Sequence, residues 1–414
     1  MRVVYSLSPA GLGATVSSAL WGTLIGALAM GAPGDRFGSR NTLRFIGGLY
    51  TIAALGCALA WNLSSFVIFR FLVGLAIGGS SVLAPVYISE IAPAERRGAL
   101  VGLFQFNVVL GILLAYCSNF VVGSLAPGPA AWRIKLAVAV VPATVFFTLL
   151  FTIPDSPRWL ALKGRMTAAV ASLQRLGIAE PQAVAAELQR AAPPQDSVAE
   201  ALSWSRHRRP ILLAVTIAMF NQLSGINAIL YYLGDIFTAA GFSSLSADLQ
   251  SVAIGATNLV ATIVGMSFID RLGRKALLLI GAVGTAIALA AVAVIMGTGS
   301  HRELLLPLLI AFIASFALSQ GAVIWVYLSE VFPTAIRARG QSLGSATHWI
   351  MNAVVSAAFP AVAAYSTSAP FAFFALMMAL QFVVVWVAFP ETKGVALEHM
   401  AERMRRSGSY FDNA

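Results

Sequence analysis

Charge is scarce in this chain: of 414 residues only 11% are Asp, Glu, Lys or Arg, and only 17 are acidic. That poverty excludes an ordinary water-soluble globule, which carries about a quarter charged residues. Cysteine is nearly absent too. Cys57 and Cys117 both fall inside apolar stretches, so no disulfide framework and no cysteine metal site is expected, and both read as packing residues. Of four histidines only His348 lies in an apolar segment, no carboxylate pair sits at membrane depth, and no ligand spacing suits a metal. An enzyme is therefore not expected, nor a catalytic residue, a metal or a cofactor. The first ten residues lack the short apolar core and cleavage site of a signal peptide.

What the chain has in abundance is apolar surface: 58% of its residues are hydrophobic and its mean hydropathy is +0.82. A helix needs about 20 apolar residues to cross a bilayer core. Eleven stretches qualify, at 10–33, 42–61, 65–89, 98–122, 132–153, 210–236, 249–269, 275–297, 304–331, 340–364 and 369–390. None shows the polar alternation of a barrel strand. The spacing predicts an all-α membrane protein.

The net charge of +10 is distributed by topology. If the loop after the first span is cytoplasmic, 22 of the 27 Lys and Arg fall on that side, against Arg2, Arg133, Lys135 and Arg302 on the other. This is the positive-inside pattern; it places the C-terminus in the cytoplasm and makes nucleic acid a poor partner for the same charges.

One phrase occurs twice. Val86-Tyr87-Ile88-Ser89-Glu90 returns 240 residues later as Val326-Tyr327-Leu328-Ser329-Glu330, and the copies run on to Arg97 and Arg337. Asp35-Arg36-Phe37-Gly38 answers Asp270-Arg271-Leu272-Gly273, and Pro154-Asp155 answers Pro390-Glu391. Internal duplication of apolar bundles marks secondary transporters. The expected organisation is a five-helix N-terminal bundle over 1–155, a linker over 156–209, a six-helix bundle over 210–395 and a tail over 396–414. The linker, broken by Pro181, Pro193 and Pro194, predicts amphipathic helices near 166–176, 182–191 and 197–205 on the cytoplasmic face.

Aligning the halves leaves a gap. The helix at 210–236 has no counterpart before the span that ends near Asp35, so the first of twelve expected helices would precede Met1. Arg70 agrees, because it sits alone in a span and a membrane-buried arginine by default needs a partner. The alternative is that it snorkels or meets a backbone carbonyl.

These motifs carry a resemblance. Gly31 to Arg40, Pro85-Val86-Tyr87 with Glu90 and Arg97, Pro154-Asp155-Ser156-Pro157-Arg158, Gln222-Leu223-Ser224-Gly225-Ile226-Asn227 with Tyr231-Tyr232, Asp270 to Lys275, and Pro390-Glu391-Thr392-Lys393-Gly394 stand in the order found in sugar porters of the major facilitator superfamily, which the chain resembles over nearly its whole length. The resemblance implies two six-helix bundles with alternating access to a central sugar site. It also implies sugar contacts at Gln105, Gln222, Asn227, Asn258 and Trp325, an outer gate at Tyr231 and Tyr232, and proton coupling through Arg70, which matches an arginine that faces an acidic first-helix residue in proton-coupled members. Three departures stand out. The paired glutamines are Asn221-Gln222, the Gly-Pro-x-Pro-Trp segment is Gly321-Ala322-Val323-Ile324-Trp325, and His348 stands where Gln or Asn is usual. Loss of both prolines puts the hinge of that helix in question.

The residues support this on their own terms. Gln105, Asn221, Gln222, Asn227, Asn258 and Asn352 are amides in apolar helices; a polyol needs such donors and acceptors, while each alone could instead join helices. His348 adds a further candidate contact. Asp35, Arg36, Glu90, Arg97, Asp155, Arg158, Asp270, Arg271, Arg274, Glu330, Arg337 and Glu391 fall at cytoplasmic helix ends, where ion pairs can form a gate or simply anchor the ends. The expected function is transport of a hexose, pentose or related polyol across the inner membrane by a monomer embedded in the lipid bilayer, either with protons as a second partner or by facilitated diffusion, between which the residues do not decide. The alternatives are a carrier of inositol- or quinate-like solutes, and a transport-inactive product or sensor.

Overall fold

The structure is a computed structural model describing residues 4–92, 97–126, 128, 130–190, 202–332 and 336–393, without the side chains of 97–99, 101, 102, 104, 270, 329, 337 and 338. Every regular element among them is helical, and eleven helices are long and apolar enough to cross a membrane. Their surfaces agree with that solvent. Ile52, Leu59, Val260, Ile280 and Val387 are all more than 60% exposed, an apolar exterior that water would not tolerate at this density.

The described residues group into two compact units. One comprises Met1–Ser6, Ser18–Val108 and Ala126–Val198; the other comprises Leu7–Ser17, Val109–Leu125 and Ala199–Ala414. The first is built from α1 (Pro9–Ala29, of which Ser18 onward belongs here), α2 (Gly31–Phe37), α3 (Ser39–Leu59), α4 (Leu63–Ile91), the start of α5 (Arg97–Leu125), α6 (Ala131–Ala137) and α7 (Val140–Leu149). Asn62 opens α4 with a capping box: its side chain accepts from the Ser65 amide and the Ser65 hydroxyl accepts in return from the Asn62 amide, which satisfies two orphan donors.

The joint between α1 and α4 is made of glycine on both sides. Gly22 and Gly26 face the backbone of Phe71 and Leu75, and Gly74 and Gly78 face that of Ala19 and Thr23, so closely that a Cβ at any of the four would overlap a carbonyl oxygen. Each helix thus carries Gly-x-x-x-Gly, the spacing that lets helix backbones meet where no hydrophobic effect drives association. Beneath this seam Leu43, Ile46, Ala76, Leu83, Tyr87 and Leu150 form the unit's core.

After α7 the chain forms α8 (Pro157–Leu162), α9 (Met166–Arg175) and α10 (Pro181–Arg190), which bury Leu160, Ala169, Leu173 and Ala185 against one another. Two of these match the linker helices expected from sequence, and α8 was not anticipated. The third expected helix, at 197–205, lies mostly outside the described residues.

The second unit carries α11 (Trp204–Leu223), α12 (Ile226–Tyr231), α13 (Leu233–Ala239), α14 (Ser244–Leu272), α15 (Arg274–Thr298), α16 (Leu305–Leu318), α17 (Gln320–Glu330), α18 (Arg337–Tyr365) and α19 (Ala369–Ala388). Ile217, Leu278, Tyr327, Phe332, Val385 and Phe389 lie in its core. Two spans are interrupted. Gly225 adopts a left-handed conformation (φ 78°) between α11 and α12, and a Cβ there would overlap the Phe374 ring. Ser319 (φ −120°, ψ −89°) separates α16 from α17, so this helix breaks without proline, two residues before Gly321. The backbone supplies the break: the Ser319 amide reverts to Phe316 O at 3.1 Å while its hydroxyl takes Ser315 O at 2.6 Å.

The glycine seam makes a direct prediction. Gly78→Ala should prevent recovery of monodisperse protein from membranes in size-exclusion chromatography, because the added methyl meets backbone. Gly111→Ala on α5, whose Cβ would meet nothing within 4 Å, should behave like the parent or gain up to about 1 kcal/mol from helix propensity.

Candidate functional site

In the second unit several polar side chains of the apolar helices form two hydrogen-bonded groups. Asn221 and Gln222 end α11, the left-handed Gly225 turns the chain, and Asn227 comes back on α12. Gln222 Nε2 donates to Asn221 Oδ1 at 3.0 Å, and Asn227 Nδ2 donates to Gln222 Oε1 at 3.0 Å. The same Gln222 nitrogen lies 3.1 Å from Nδ1 and 3.2 Å from Nε2 of His348 on α18. The His348 ring packs against Trp325 of α17, with centroids 5.2 Å apart, and edge-on to Trp349.

One turn further along α18 lies the second group. Asn352 Nδ2 donates to the Tyr231 hydroxyl at 3.4 Å, Ser356 Oγ donates to Asn352 Oδ1 at 3.1 Å, and the Tyr232 hydroxyl donates to Ser356 O at 3.0 Å. Tyr232 is buried and stacked on Phe359. The layer is graded by depth: Asn221, Gln222, His348, Asn352 and Ser356 are buried, Asn227 is half-buried, and Tyr231 and Trp325 are 44% and 40% exposed. Buried amides beside an exposed tyrosine, an exposed indole and a half-buried asparagine can offer hydrogen bonds and an aromatic face to a polar ring.

Of the residues expected at a sugar site, the structure brings Asn221, Gln222, Asn227, His348 and Trp325 into one group and Asn352, Tyr231 and Tyr232 into the other. Asn258 on α14 is buried, but among the described residues no hydrogen bond ties it to this group. Gln105 on α5 is half-buried and belongs to the first unit. Arg70 is half-buried on α4 in that unit, and its buried Nε has no hydrogen-bond partner among the described residues.

The charged helix ends pair within each unit, and similarly in both. In the second, the Arg274 guanidinium forks onto Glu330, with Nε to Oε2 at 3.1 Å and NH2 to Oε1 at 2.8 Å, and Thr392 Oγ1 adds a bond to Glu330 at 2.7 Å. Glu391 caps α15, accepting the amides of Arg274 (2.9 Å) and Lys275 (3.0 Å) as well as those of Thr392 and Lys393. Gly273 (φ 87°) makes this possible, since a Cβ there would lie 2.6 Å from the carboxylate. In the first unit Asp155 pairs with Arg40 at 2.6 Å, and Glu90 accepts from Ser39 at 3.5 Å. The tyrosine of the repeated phrase plays one part twice: Tyr87 donates to Pro154 O at 2.7 Å and Tyr327 to Pro390 O at 3.5 Å. Asp35, Arg36, Arg158 and Arg271 are exposed; the side chains of Arg97, Asp270 and Arg337 lie outside the described residues.

Sequence reasoning missed Arg40, Tyr87, Tyr327 and Ser356. The tyrosines stand at matching places in the repeat and so were signalled there. Ser356 follows Asn352 by four residues, hence on the same helical face, whereas nothing local distinguished Arg40 from its neighbours Arg36 and Arg44.

A sequence model described as "Sugar (and other) transporter" matches residues 5–404. The D-xylose-proton symporter of Escherichia coli is 33% identical, the alignment covering 94% of this chain and 85% of that protein; the major myo-inositol transporter of Bacillus subtilis is 34% identical over 95% and 85%. Among solved structures, the inward-open xylose transporter of E. coli superposes with a TM-score of 0.84 at 30% identity, covering 97% of this chain and 91% of that one. The chain belongs to the sugar porter family of the major facilitator superfamily, a family of membrane transporters, and is a multi-pass membrane protein.

Glu391 yields a pH prediction. Burial raises its carboxyl, and the four backbone amides that it accepts more than offset this, leaving it below the ordinary value of 4.5. A carboxyl depressed in the folded state contributes stability above its unfolded pKa and loses it as pH falls through the folded one. Glu391→Gln should lower stability near neutrality by on the order of 2 kcal/mol. Melting curves between pH 7 and 3 should show the gap to the parent constant near neutrality and closing below the ordinary carboxylate range.

Proposed function

We propose that this chain carries a monosaccharide, a hexose or pentose, or a related polyol, across the inner membrane by alternating access and with proton coupling. The observation that carries the reading is the amide network on α11, α12 and α18 beside the exposed Trp325 and Tyr231. Amides gathered beside aromatic rings at membrane depth suit a ligand with many hydroxyls, whose donors and acceptors they can meet where water cannot. Relatives named as xylose-proton, arabinose-proton and myo-inositol carriers support that substrate class. In this reading Gln105, Asn221, Gln222, Asn227, Asn258, Trp325, His348 and Asn352 build the site, Tyr231 and Tyr232 close its outer side, and the charged helix ends form the cytoplasmic gate. Arg70 serves the proton step, as a half-buried guanidinium within a spanning helix, a place where charge is costly and functional by default. The protein acts as a monomer with its C-terminus in the cytoplasm, as the positive-inside pattern implies. The myo-inositol relative favours one alternative, a cyclitol substrate.

Counterflow in proteoliposomes tests this without any ion gradient. Purified protein should exchange at least one of D-xylose, D-glucose, D-galactose, L-arabinose or myo-inositol with saturation, and Asn227→Ala should raise KM by about tenfold, the loss of one to two hydrogen bonds, with an unchanged melting temperature. Exchange of myo-inositol alone would select the cyclitol reading, and exchange of none would refute both. Alkalinisation of a weakly buffered cell suspension on sugar addition should accompany uptake and vanish in Arg70→Leu.

A further inference from the structure

The ion pairs at the helix ends of the first unit pass over two of its arginines. Arg40 meets Asp155, but among the described residues neither Arg36 nor Arg44 pairs with a carboxylate, although the exposed Asp35 is next to Arg36 in sequence. Arg44 is nevertheless held in place. Its Nε donates to Leu150 O at 3.1 Å, its NH1 donates to Asn41 Oδ1 at 3.3 Å, and its guanidinium lies 4.5 Å from the centre of the Phe151 ring. A guanidinium has five N–H donors, so these two bonds leave donors over.

Beside this arginine the surface opens. A cavity of about 530 Å³ is lined by Met30, Pro33, Phe37, Asn41, Thr42 and Phe45, where α1 gives way to α2 and α3 begins. Its wall is mostly apolar, and Phe37 and Phe45 are 54% and 61% exposed. Its polar edge is fixed: Asn41 Nδ2 donates to Phe37 O at 3.2 Å while Asn41 Oδ1 takes the Arg44 N–H. The Arg36 guanidinium stands 5.2 Å from the centre of the Phe37 ring. Two guanidinium groups without a paired acid thus lie against residues of one apolar cavity wall.

Depth in the membrane narrows what can fill it. Arg44 follows the start of α3 at Ser39 by five residues, about 7.5 Å along the helix, and the positive-inside pattern puts that end of the span at the cytoplasmic leaflet. A free anion would leave the phenyl rings unused, and an uncharged lipid would leave the guanidinium groups unused. An anionic phospholipid meets both, since a phosphate fits the arginine fork and basic pockets at cytoplasmic span ends suit anionic headgroups.

We propose that the corner formed by α1, α2 and α3 binds one anionic phospholipid of the cytoplasmic leaflet, with its phosphate on Arg44 and Arg36 and an acyl chain in the cavity against Phe37 and Phe45. The site lies in the first unit, away from the sugar network, and is independent of which solute is carried. A lipid bound there joins the end of α1 to α3 and, through Arg44, to the end of α7, so occupancy stabilises the folded protein.

The test is native mass spectrometry, with melting temperature alongside, on the full chain purified and delipidated in detergent. Dioleoylphosphatidylglycerol, dioleoylphosphatidylcholine and glycerol phosphate are the probes. Phosphatidylglycerol should give one strongly retained adduct and raise the melting temperature, and phosphatidylcholine, with the same chains, should be retained about tenfold more weakly for want of the charge-assisted bonds. Glycerol phosphate, which has no chain, should neither stabilise the protein nor displace the lipid. Arg44→Gln should weaken retention of phosphatidylglycerol about tenfold and leave that of phosphatidylcholine unchanged. If that variant folds poorly, Arg36→Gln, at an exposed position, should shift retention in the same direction. Phe45→Ser should weaken both lipids and keep the preference between them, because it removes chain contact and no charge. Arg302→Gln, on the second unit, should change nothing. Equal retention of the two lipids, a ladder of adducts with no preferred first one, displacement by glycerol phosphate, unchanged retention in both Arg44→Gln and Arg36→Gln, or an equal loss in Arg302→Gln would each overturn the proposal.

Discussion

A polar group inside a bilayer has no water to turn to, and the structure follows from where each such group finds its partner. The backbone solves the problem by staying helical, and where two spans break, at Gly225 and Ser319, the neighbouring carbonyls are taken up locally, as at Ser319, whose own hydroxyl bonds Ser315 O. The side chains solve it by meeting one another, which gathers the amides of α11, α12 and α18 into two groups one helical turn apart. Apolar side chains can point outward to lipid at no cost, so the protein needs only thin cores and close helix seams such as the reciprocal glycines of α1 and α4.

The same rule organises the helix ends, with water close enough to relax it. There charges are allowed, and the duplicated motif places them so that each carboxylate serves structure twice. Glu330 receives a forked arginine and a threonine hydroxyl, and Glu391 receives the amides that begin α15. The first unit repeats the plan with different atoms: Asp155 holds an arginine side chain where Glu391 holds backbone, and Ser39 stands where Arg274 would. Among the described residues Ser39 gives Glu90 a neutral hydrogen bond where Arg274 gives Glu330 a forked, charged one, so the two halves are alike in outline and differ in atoms.

Much of this was legible in the chain. Each of the eleven apolar stretches overlaps one of the eleven spans, because span length and apolar content are properties of the segment alone. The clustering of Asn221, Gln222 and Asn227 could be anticipated from a glycine that unwinds the helix between them. What could not be read was which amide faces which. His348, Asn352 and Ser356 reach the network from a helix more than a hundred residues away, and their order along it depends on packing. Arg40 escaped notice for the same reason: its carboxylate, Asp155, is distant in sequence, and three arginines within nine residues look alike until the fold takes Arg40 to Asp155 and Arg44 to Leu150 O and the Phe151 ring.

The claim at the centre is that the network and its exposed aromatic rim on the second unit bind sugar. Intrinsic tryptophan fluorescence of the purified protein, titrated with the sugar that it exchanges and compared with Trp325→Phe, tests it most directly, since Trp325 is the indole that joins the network through His348. The account predicts a saturable change in emission that disappears in Trp325→Phe while binding, followed by counterflow, is weakened and not abolished. An identical saturable change in the variant, or none in the parent at sugar concentrations that saturate exchange, would contradict it.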